Sequence, residues 1–303
     1  MLEKKPNFFI VGAAKSGTTS MHFYLKQHPE IFMTEQKETN YFVFKGKRVE
    51  FKGPEDDKYI NKYSITQLDE YLKLFEGVKN EKIIGESSPA YLYYAKIAAK
   101  NIKEFNPNAK ILMILRNPME RAFSAYQHLV RDKREFLGFY EALKEEEKRK
   151  QKKWEFIWHY KRAGLYADSV KIYKENFPSE NVFIVIFEEF IKNPLKILKK
   201  ILNFFDVKDD FVPYFSYIHN VSRVEKDFLY NTVNTEKFIF FKNIIRLFIP
   251  RKYRLLIRYK INLMAKEKVK IDKRSREYLK DFFREDILKL SNLLNKDLTF
   301  WLR

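Results

Sequence analysis

The sequence predicts an α/β fold, a mostly parallel β-sheet flanked by helices and closed by a helical C-terminal cap. Short runs of Ile, Val, Leu and Phe alternate with amphipathic stretches of the length crossover helices need. The apolar runs are continuous, as in strands covered on both faces. The chain has 303 residues, 45% of them hydrophobic, so it can bury a sizeable core and is not a disordered polymer.

In chain order, Asn7–Val11 (NFFIV) reads as the first strand and Thr18–His28 as the helix after it. Lys82–Gly85 (KIIG), Lys110–Leu115 (KILMIL) and Asn181–Phe187 (NVFIVIF) read as three further strands. Helices are expected near Thr66–Phe75, Ala95–Phe105, Met119–Arg131, Tyr166–Asn176 and Pro194–Phe205. The last opens Asn193-Pro194, a cap residue followed by Pro at the first helical position. Lys144–Lys153 (KEEEKRKQKK) is almost wholly charged and reads as a solvated helix or loop. A final helix, Lys273–Leu294, sets Tyr278, Phe282, Ile287, Leu290 and Leu294 at helical spacing. The chain reads as one domain over 1–303, with a nucleotide-binding α/β core over 1–210 and a basic helical cap over 211–303.

Lys+Arg exceed Asp+Glu by 59 to 40, a formal net charge of +19, which predicts anionic partners. Residues 242–276 hold 13 Lys/Arg against 2 Asp/Glu. With Cys at 0, disulfide scaffolds, thiolate metal sites and cysteine nucleophiles are excluded. Only 5 His argue against a multi-histidine metal centre, and no metal site is expected. No segment has the ~20 apolar residues of a membrane span, and the start, MLEKKP, lacks a signal peptide's apolar run. The expectation is a cytoplasmic protein, with peripheral contact at the inner face of the membrane as a further role for 242–276.

After the first strand comes Gly12-Ala13-Ala14-Lys15-Ser16-Gly17-Thr18-Thr19-Ser20. Small residues let backbone N–H groups converge on an anion, and the following helix adds its own free N–H groups and partial positive charge. The fold is therefore P-loop-like, but a Walker A loop places Lys directly after its second Gly. Here Thr18 fills that slot and Lys15 lies inside the loop. The third strand ends in Arg116, followed by Asn117, Pro118 and, on the next helix, Ser124. An Arg at the carboxyl end of a parallel strand faces the crevice where open α/β sheets bind ligands, and its planar fork suits phosphate. The second strand runs into Gly85-Glu86-Ser87-Ser88-Pro89-Ala90-Tyr91, which sets a carboxylate near Lys15, placed to accept a proton.

KSGTTS after a buried strand resembles the 5′-phosphosulfate loop of sulfotransferases that use 3′-phosphoadenosine 5′-phosphosulfate (PAPS), most closely the heparan-sulfate and bacterial glycosyl type. The resemblance covers Asn7–Phe205 well and the remainder loosely. It implies that Lys15, Ser16, Gly17, Thr18, Thr19 and Ser20 hold the 5′-phosphosulfate, and that Arg116 and Ser124 hold the 3′-phosphate. By the same resemblance Glu86 is the general base, Lys15 steadies the leaving phosphate, and Lys37, in Lys37-Glu38-Thr39-Asn40-Tyr41-Phe42, approaches the reacting group or the acceptor. Gly164-Leu165-Tyr166 and Asn176-Phe177-Pro178 match family architecture, as do Glu188-Glu189-Phe190 and Asn193-Pro194. Asn220-Val221-Ser222-Arg223 resembles an element of bacterial relatives, which makes Ser222 and Arg223 the candidates to close over the 3′-phosphate.

Two family features are missing: the Cys-bounded loop of the heparan sulfate enzymes and their basic G-R-K segment. None of the His residues aligns with the His base of the small-molecule enzymes, which favours Glu86. The resemblance implies a glycan or glycolipid acceptor, adenosine 3′,5′-bisphosphate as second product, no metal and no specific nucleic acid. Two alternatives remain at this point. One is a small-molecule kinase with a modified P-loop, which would need magnesium ligands. The other is a non-enzymatic protein binding nucleic acid or anionic membrane through 242–276, for which strong salt dependence without nucleotide affinity would speak.

Overall fold

The computed structural model describes residues 5–214, 224–225, 266–267 and 270–303. Ser222 and Arg223 lie outside the described residues, as does most of the basic stretch 242–276. The chain divides into two compact units, Met1–Asp210 with Ile271–Arg303, and Phe211–Lys270. In the second unit Val224–Glu225 (β6) pairs antiparallel with Lys266–Glu267 (β7). The rest of the account concerns the first.

Five strands build its sheet: β1 (Phe8–Gly12), β2 (Ile31–Met33), β3 (Ile83–Ser87), β4 (Lys110–Leu115) and β5 (Val182–Ile186). Their order is β2-β3-β1-β4-β5 and every pairing is parallel. The four strands expected from apolar runs are present within a residue or two. β2 was not expected, because IFM is too short a run to stand out and forms an edge strand on β3. Its neighbours on the chain are the helices α1 (Thr18–Leu25), α2 (Tyr41–Phe44), α3 (Ile60–Tyr63) and α4 (Leu68–Lys73). There follow α5 (Ala90–Tyr93), α6 (Ala95–Phe105), α7 (Pro118–Arg131), α8 (Phe139–Lys144) and α9 (Glu146–Gln151). The last are α10 (Ala167–Asn176), α11 (Phe187–Lys192), α12 (Pro194–Phe205) and α13 (Lys273–Leu294).

Strand side chains alternate between faces. Phe9, Val11, Ile111, Met113 and Leu115 join one core cluster with Ala98 and Ile102 of α6, Val170 of α10 and Leu279 of α13. Phe8 points the other way, its ring 4.4 Å from that of Phe205 on α12. Such burial is worth ~1.5–3 kcal/mol for each large apolar side chain. On α6 the buried residues Ala95, Ala98, Ala99 and Ile102 recur at three and four, the spacing of one helical face. Asn117 caps α7, its Oδ1 accepting from the Met119 N–H at 3.0 Å, with Pro118 at the first helical position. Asn193 makes no such side-chain cap, and Pro194 alone marks the start of α12.

Three local expectations change. The buried face of α13 is Leu279, Phe283, Ile287 and Leu290, whereas Phe282 is 38% exposed. The charged run 144–153 is not simply solvated. Glu146 and Arg149 of α9 are buried, Glu146 accepting the backbone N–H groups of Lys161 and Arg162. Arg149 grips both carboxylate oxygens of Glu135 at 2.6 and 3.0 Å. Finally, α13 returns to the sheet as part of the first unit. Asp286 accepts from the N–H groups of Tyr166 and Ala167, at 2.7 and 3.2 Å, and so caps the start of α10. No helix among the described residues is long and apolar enough to cross a membrane.

Candidate active site

The strand order runs outward in opposite directions from β1, so the crevice above its carboxyl end is the topological switch point. β1 delivers the phosphate loop there, β4 delivers Arg116 and β3 delivers Glu86. The β1–β4 register shifts between Ile10 and Gly12, where the loop departs. Gly12 has φ +157°, and a Cβ there would lie 2.5 Å from Cβ of Leu92, so the chain has no room for a side chain as it turns. Lys15 and Gly17 are also left-handed, at φ 67° and 85°. Successive turns of this hand gather backbone N–H groups into an anion-binding concavity, with the first turn of α1 behind it. The Ser16 hydroxyl is buried in this loop without a hydrogen-bond partner. An anion at the loop would satisfy it, so the residues present fit a bound phosphosulfate.

Cations converge on the loop from separate elements. Burial, followed by repulsion from Arg131, lowers the pKa of Lys15 to about 8, against the attraction of Glu38 and Asp132. Lys37 donates from Nζ to Oγ1 of Thr19 at 2.8 Å, which ties the 37–40 segment to the start of α1. Arg116 donates from Nη1 to the Lys15 carbonyl at 2.9 Å and lies over the Phe187 ring, 4.9 Å from its centroid. Tyr166 in turn donates to the Arg116 carbonyl at 3.1 Å. The same Phe187 ring would meet a Cβ on Gly17 at 3.0 Å, so loop, guanidinium and aromatic ring are in mutual contact. Ser124 is buried on α7, the helix that begins just after Arg116. Ser20, on the first turns of α1, is buried as well.

Glu86 does not stand where an acceptor reaches it. It is fully buried, and both carboxylate oxygens are occupied. Thr39 and Ser88 donate to one, at 2.7 and 2.9 Å, and Tyr91 and Tyr71 to the other, at 2.5 and 3.1 Å. Burial raises its pKa, opposed by these hydroxyl donors, Tyr91 foremost. Glu86 thereby holds Thr39, and through it the segment that carries Lys37 and Glu38. This burial sits against the base role expected of Glu86: the sequence shows a carboxylate at a strand end, while the hydroxyls around it come from positions 39, 71, 88 and 91.

The accessible carboxylate is Glu38. It is 58% exposed, with its Oε1 3.7 Å from Lys37 Nζ, and it lies in the field of Lys15. Its backbone N–H donates to the Ser87 carbonyl at 2.8 Å. The signal was present in the sequence, immediately after Lys37, but its side was not. His128 and Arg131 were also missed. They follow Ser124 on α7 at four and seven residues, one face of the helix. His128 Nδ1 accepts from Arg131 Nη2 at 2.6 Å. Burial and then the charge of Lys15 push the His128 pKa down to about 4, so the ring is neutral. Arg121, on the same helix, is fully buried and donates to the Tyr160 carbonyl, a packing role.

The sulfotransferase family model matches residues 6–210. Over 99% of both chains, this chain is 36% identical to the crystal structure of a sulfotransferase from Alicyclobacillus acidocaldarius, with a TM-score of 0.78. It is 24% identical over 311 residues to the human bifunctional heparan sulfate N-deacetylase/N-sulfotransferase 2, covering 99% of this chain and 31% of that protein. A 124-residue stretch, 40% of this chain, is 34% identical to 22% of the membrane-associated sulfotransferase kil1 of Dictyostelium discoideum. The chain thus spans about a third or less of the length of these two curated relatives.

Proposed function

This chain belongs to the sulfotransferase family and is a sulfotransferase enzyme, and we propose that it takes its sulfuryl group from PAPS and delivers it to a hydroxyl or amine of a glycan. The observation that supports the donor is the joining of Arg116, the Lys15 carbonyl and the Phe187 ring beneath a loop built for an oxyanion. A loop, a fixed guanidinium and an aromatic face together suit a nucleotide carrying phosphates at both ends. The support for a glycan is the similarity, over nearly the whole chain, to a heparan sulfate N-sulfotransferase.

The donor supplies an already activated sulfuryl group, so the protein has to position it and balance charge. Lys15 and the N–H groups of the loop hold the phosphosulfate oxygens, with Ser16, Thr18, Thr19 and Ser20 as hydroxyl donors. Arg116 and Ser124 hold the 3′-phosphate. Glu38 accepts the proton of the attacking hydroxyl as the new O–S bond forms and the sulfur–phosphate bridge breaks. Lys15 stabilises the charge that collects on the leaving phosphate, the kind of preorganised donor whose loss costs ~10²–10³ in turnover. Lys37, bonded to Thr19 at the start of α1, lies 3.7 Å from Glu38 and so sets a positive charge beside it. The products are a sulfated acceptor and adenosine 3′,5′-bisphosphate. The kinase alternative is not favoured, since Lys15 lies inside the loop rather than after Gly17.

Calorimetric titration of adenosine 3′,5′-bisphosphate tests the donor. Wild type is expected to bind it in the micromolar range, Arg116→Ala at least about tenfold more weakly, as loss of a charged hydrogen bond implies. Indifference of wild type to the bisphosphate, or equal affinity for magnesium ATP, would sink the reading.

A further inference from the structure

A cavity of ≈ 390 Å³ opens against the phosphate loop at Ala13 and Ala14. Neither Arg116, Ser124 nor Phe187 lines it, so it is separate from the contacts assigned to the donor. Its charged walls are Lys96 of α6, Lys150 of α9, Arg162, and Asp168 of α10. Tyr93 and Tyr166 supply aromatic surface. The charges are not equivalent. Arg162 is already held by Glu147, with both carboxylate oxygens 2.7 Å from its Nη2. Lys96 and Lys150 are exposed and have no ion-pair partner among the described residues. Beside them, Tyr93 Oη lies 2.7 Å from Nδ1 of His159, whose Nε2 is buried without a partner. The cavity falls within the roughly 300–1,000 Å³ of ordinary ligand sites.

We infer that this cavity is an acceptor subsite that anchors a carboxylate- or sulfate-bearing sugar adjoining the unit that is modified. Two ammonium groups without ion-pair partners among the described residues, in a cavity also lined by Tyr93 and Tyr166, match the two surfaces of such a sugar: its anionic substituent and its apolar ring face. The contact with Ala13 and Ala14 places the anchored unit beside the loop that holds the reacting sulfuryl group. The subsite selects among acceptors by charge, leaving Asp168 to repel the substituent from one wall. The inference rests on the sulfotransferase reading above and deepens it.

The test is direct binding to protein saturated with adenosine 3′,5′-bisphosphate. Three probes are titrated: a hexasaccharide of alternating glucuronate and glucosamine, its carboxyl-reduced counterpart, and the carboxyl-reduced form bearing O-sulfates. Wild type should bind the glucuronate hexasaccharide about tenfold or more tightly than the reduced one. Recovery of affinity with the sulfated form would make sulfate the anchored group; no recovery would make it carboxylate. The double variant Lys96→Ala/Lys150→Ala should lose about tenfold or more for the anionic probe, with bisphosphate affinity and melting temperature unchanged, because both side chains are on the surface. The inference is overturned if the reduced hexasaccharide binds as well as the anionic ones, if the double variant binds like wild type, or if no anionic probe binds. Failure of the bisphosphate itself to bind is read in a separate titration and strikes the donor assignment.

Discussion

Lys15 is a lysine in a left-handed turn, lowered to about 8 by burial and then by Arg131. A lysine with a depressed folded pKa disfavours folding while it is charged, and stability regained from it appears only as pH rises from about 8 toward the unfolded value. An anionic ligand reverses the balance by stabilising the charged form. Bisphosphate binding should therefore take up protons near pH 8 and weaken above it, measured by calorimetry in buffers of different ionisation enthalpy, and Lys15→Met should abolish the uptake. The two glutamates separate by different readouts. Glu38→Gln is expected to lower kcat by ~10²–10³ with bisphosphate affinity and melting temperature unchanged. Glu86→Gln places an amide among hydroxyl donors and should cost ~1–3 kcal/mol of stability instead. Comparable loss of kcat per folded molecule in both would return the base to Glu86. That Lys15 lies in the loop after β1 and Arg116 just past the end of β4 was legible, because loop spacing and strand ends determine such positions. Which glutamate is exposed was not, since the burial of Glu86 depends on Thr39 and Tyr71, 47 and 15 residues away, as well as on nearby Tyr91.

Among the elements, those that stand out by pattern were read well: continuous apolar strands, the Pro118 helix start, the long C-terminal helix. β2 escaped because three residues carry too little pattern, and the inward half of α9 escaped because its partners, Glu135 and the 161–162 backbone, are remote. A second buried cluster joins three such segments. Arg134 pairs with Asp56 at 2.6 Å and with Glu155 at 3.3 Å, fixing the 53–56 turn and the segment before Trp158 to the loop after α7. Burial, and then the charge of Asp56, pushes Glu155 up to about 8. Its folded pKa lies above the ordinary 4.5, so the stability it contributes is full below 4.5 and is lost as pH rises through about 8. Urea titrations at pH 5 and pH 8.5 should show this loss in wild type and a flatter dependence in Glu155→Gln. An unchanged slope in the variant would assign the dependence to other groups.

At the scale of the whole molecule, the first unit is closed by residues from both ends of the sequence. The fading of the strand-helix rhythm after residue 210 was visible, but the return of 271–303 to the sheet was not, because contacts between distant helices leave no local signature. Phe283 is fully buried and packs within 2.9 Å of where a Cβ on Gly164 would stand. Phe283→Ala should cost ~3–5 kcal/mol in urea denaturation; a loss below about 1 kcal/mol would show α13 to be peripheral. The C-terminal turn reaches the donor side as well. Asn117 Nδ2 donates to the Trp301 carbonyl at 3.0 Å, and Trp301 Nε1 donates to Glu188 at 3.2 Å. Translation therefore imposes a waiting period on this enzyme. The last sheet strand ends at Ile186 and α13 begins at Lys273, a gap crossed in roughly 4–17 s at ordinary synthesis rates. Through that interval the face of α7 and α10 that will receive Leu279, Phe283, Ile287 and Leu290 is open to the surroundings, and the elbow bearing Arg116 lacks its tie from Asn117 to Trp301. The crevice is therefore completed late in synthesis, after the apolar seat of α13 has stood open while the ribosome is still at work.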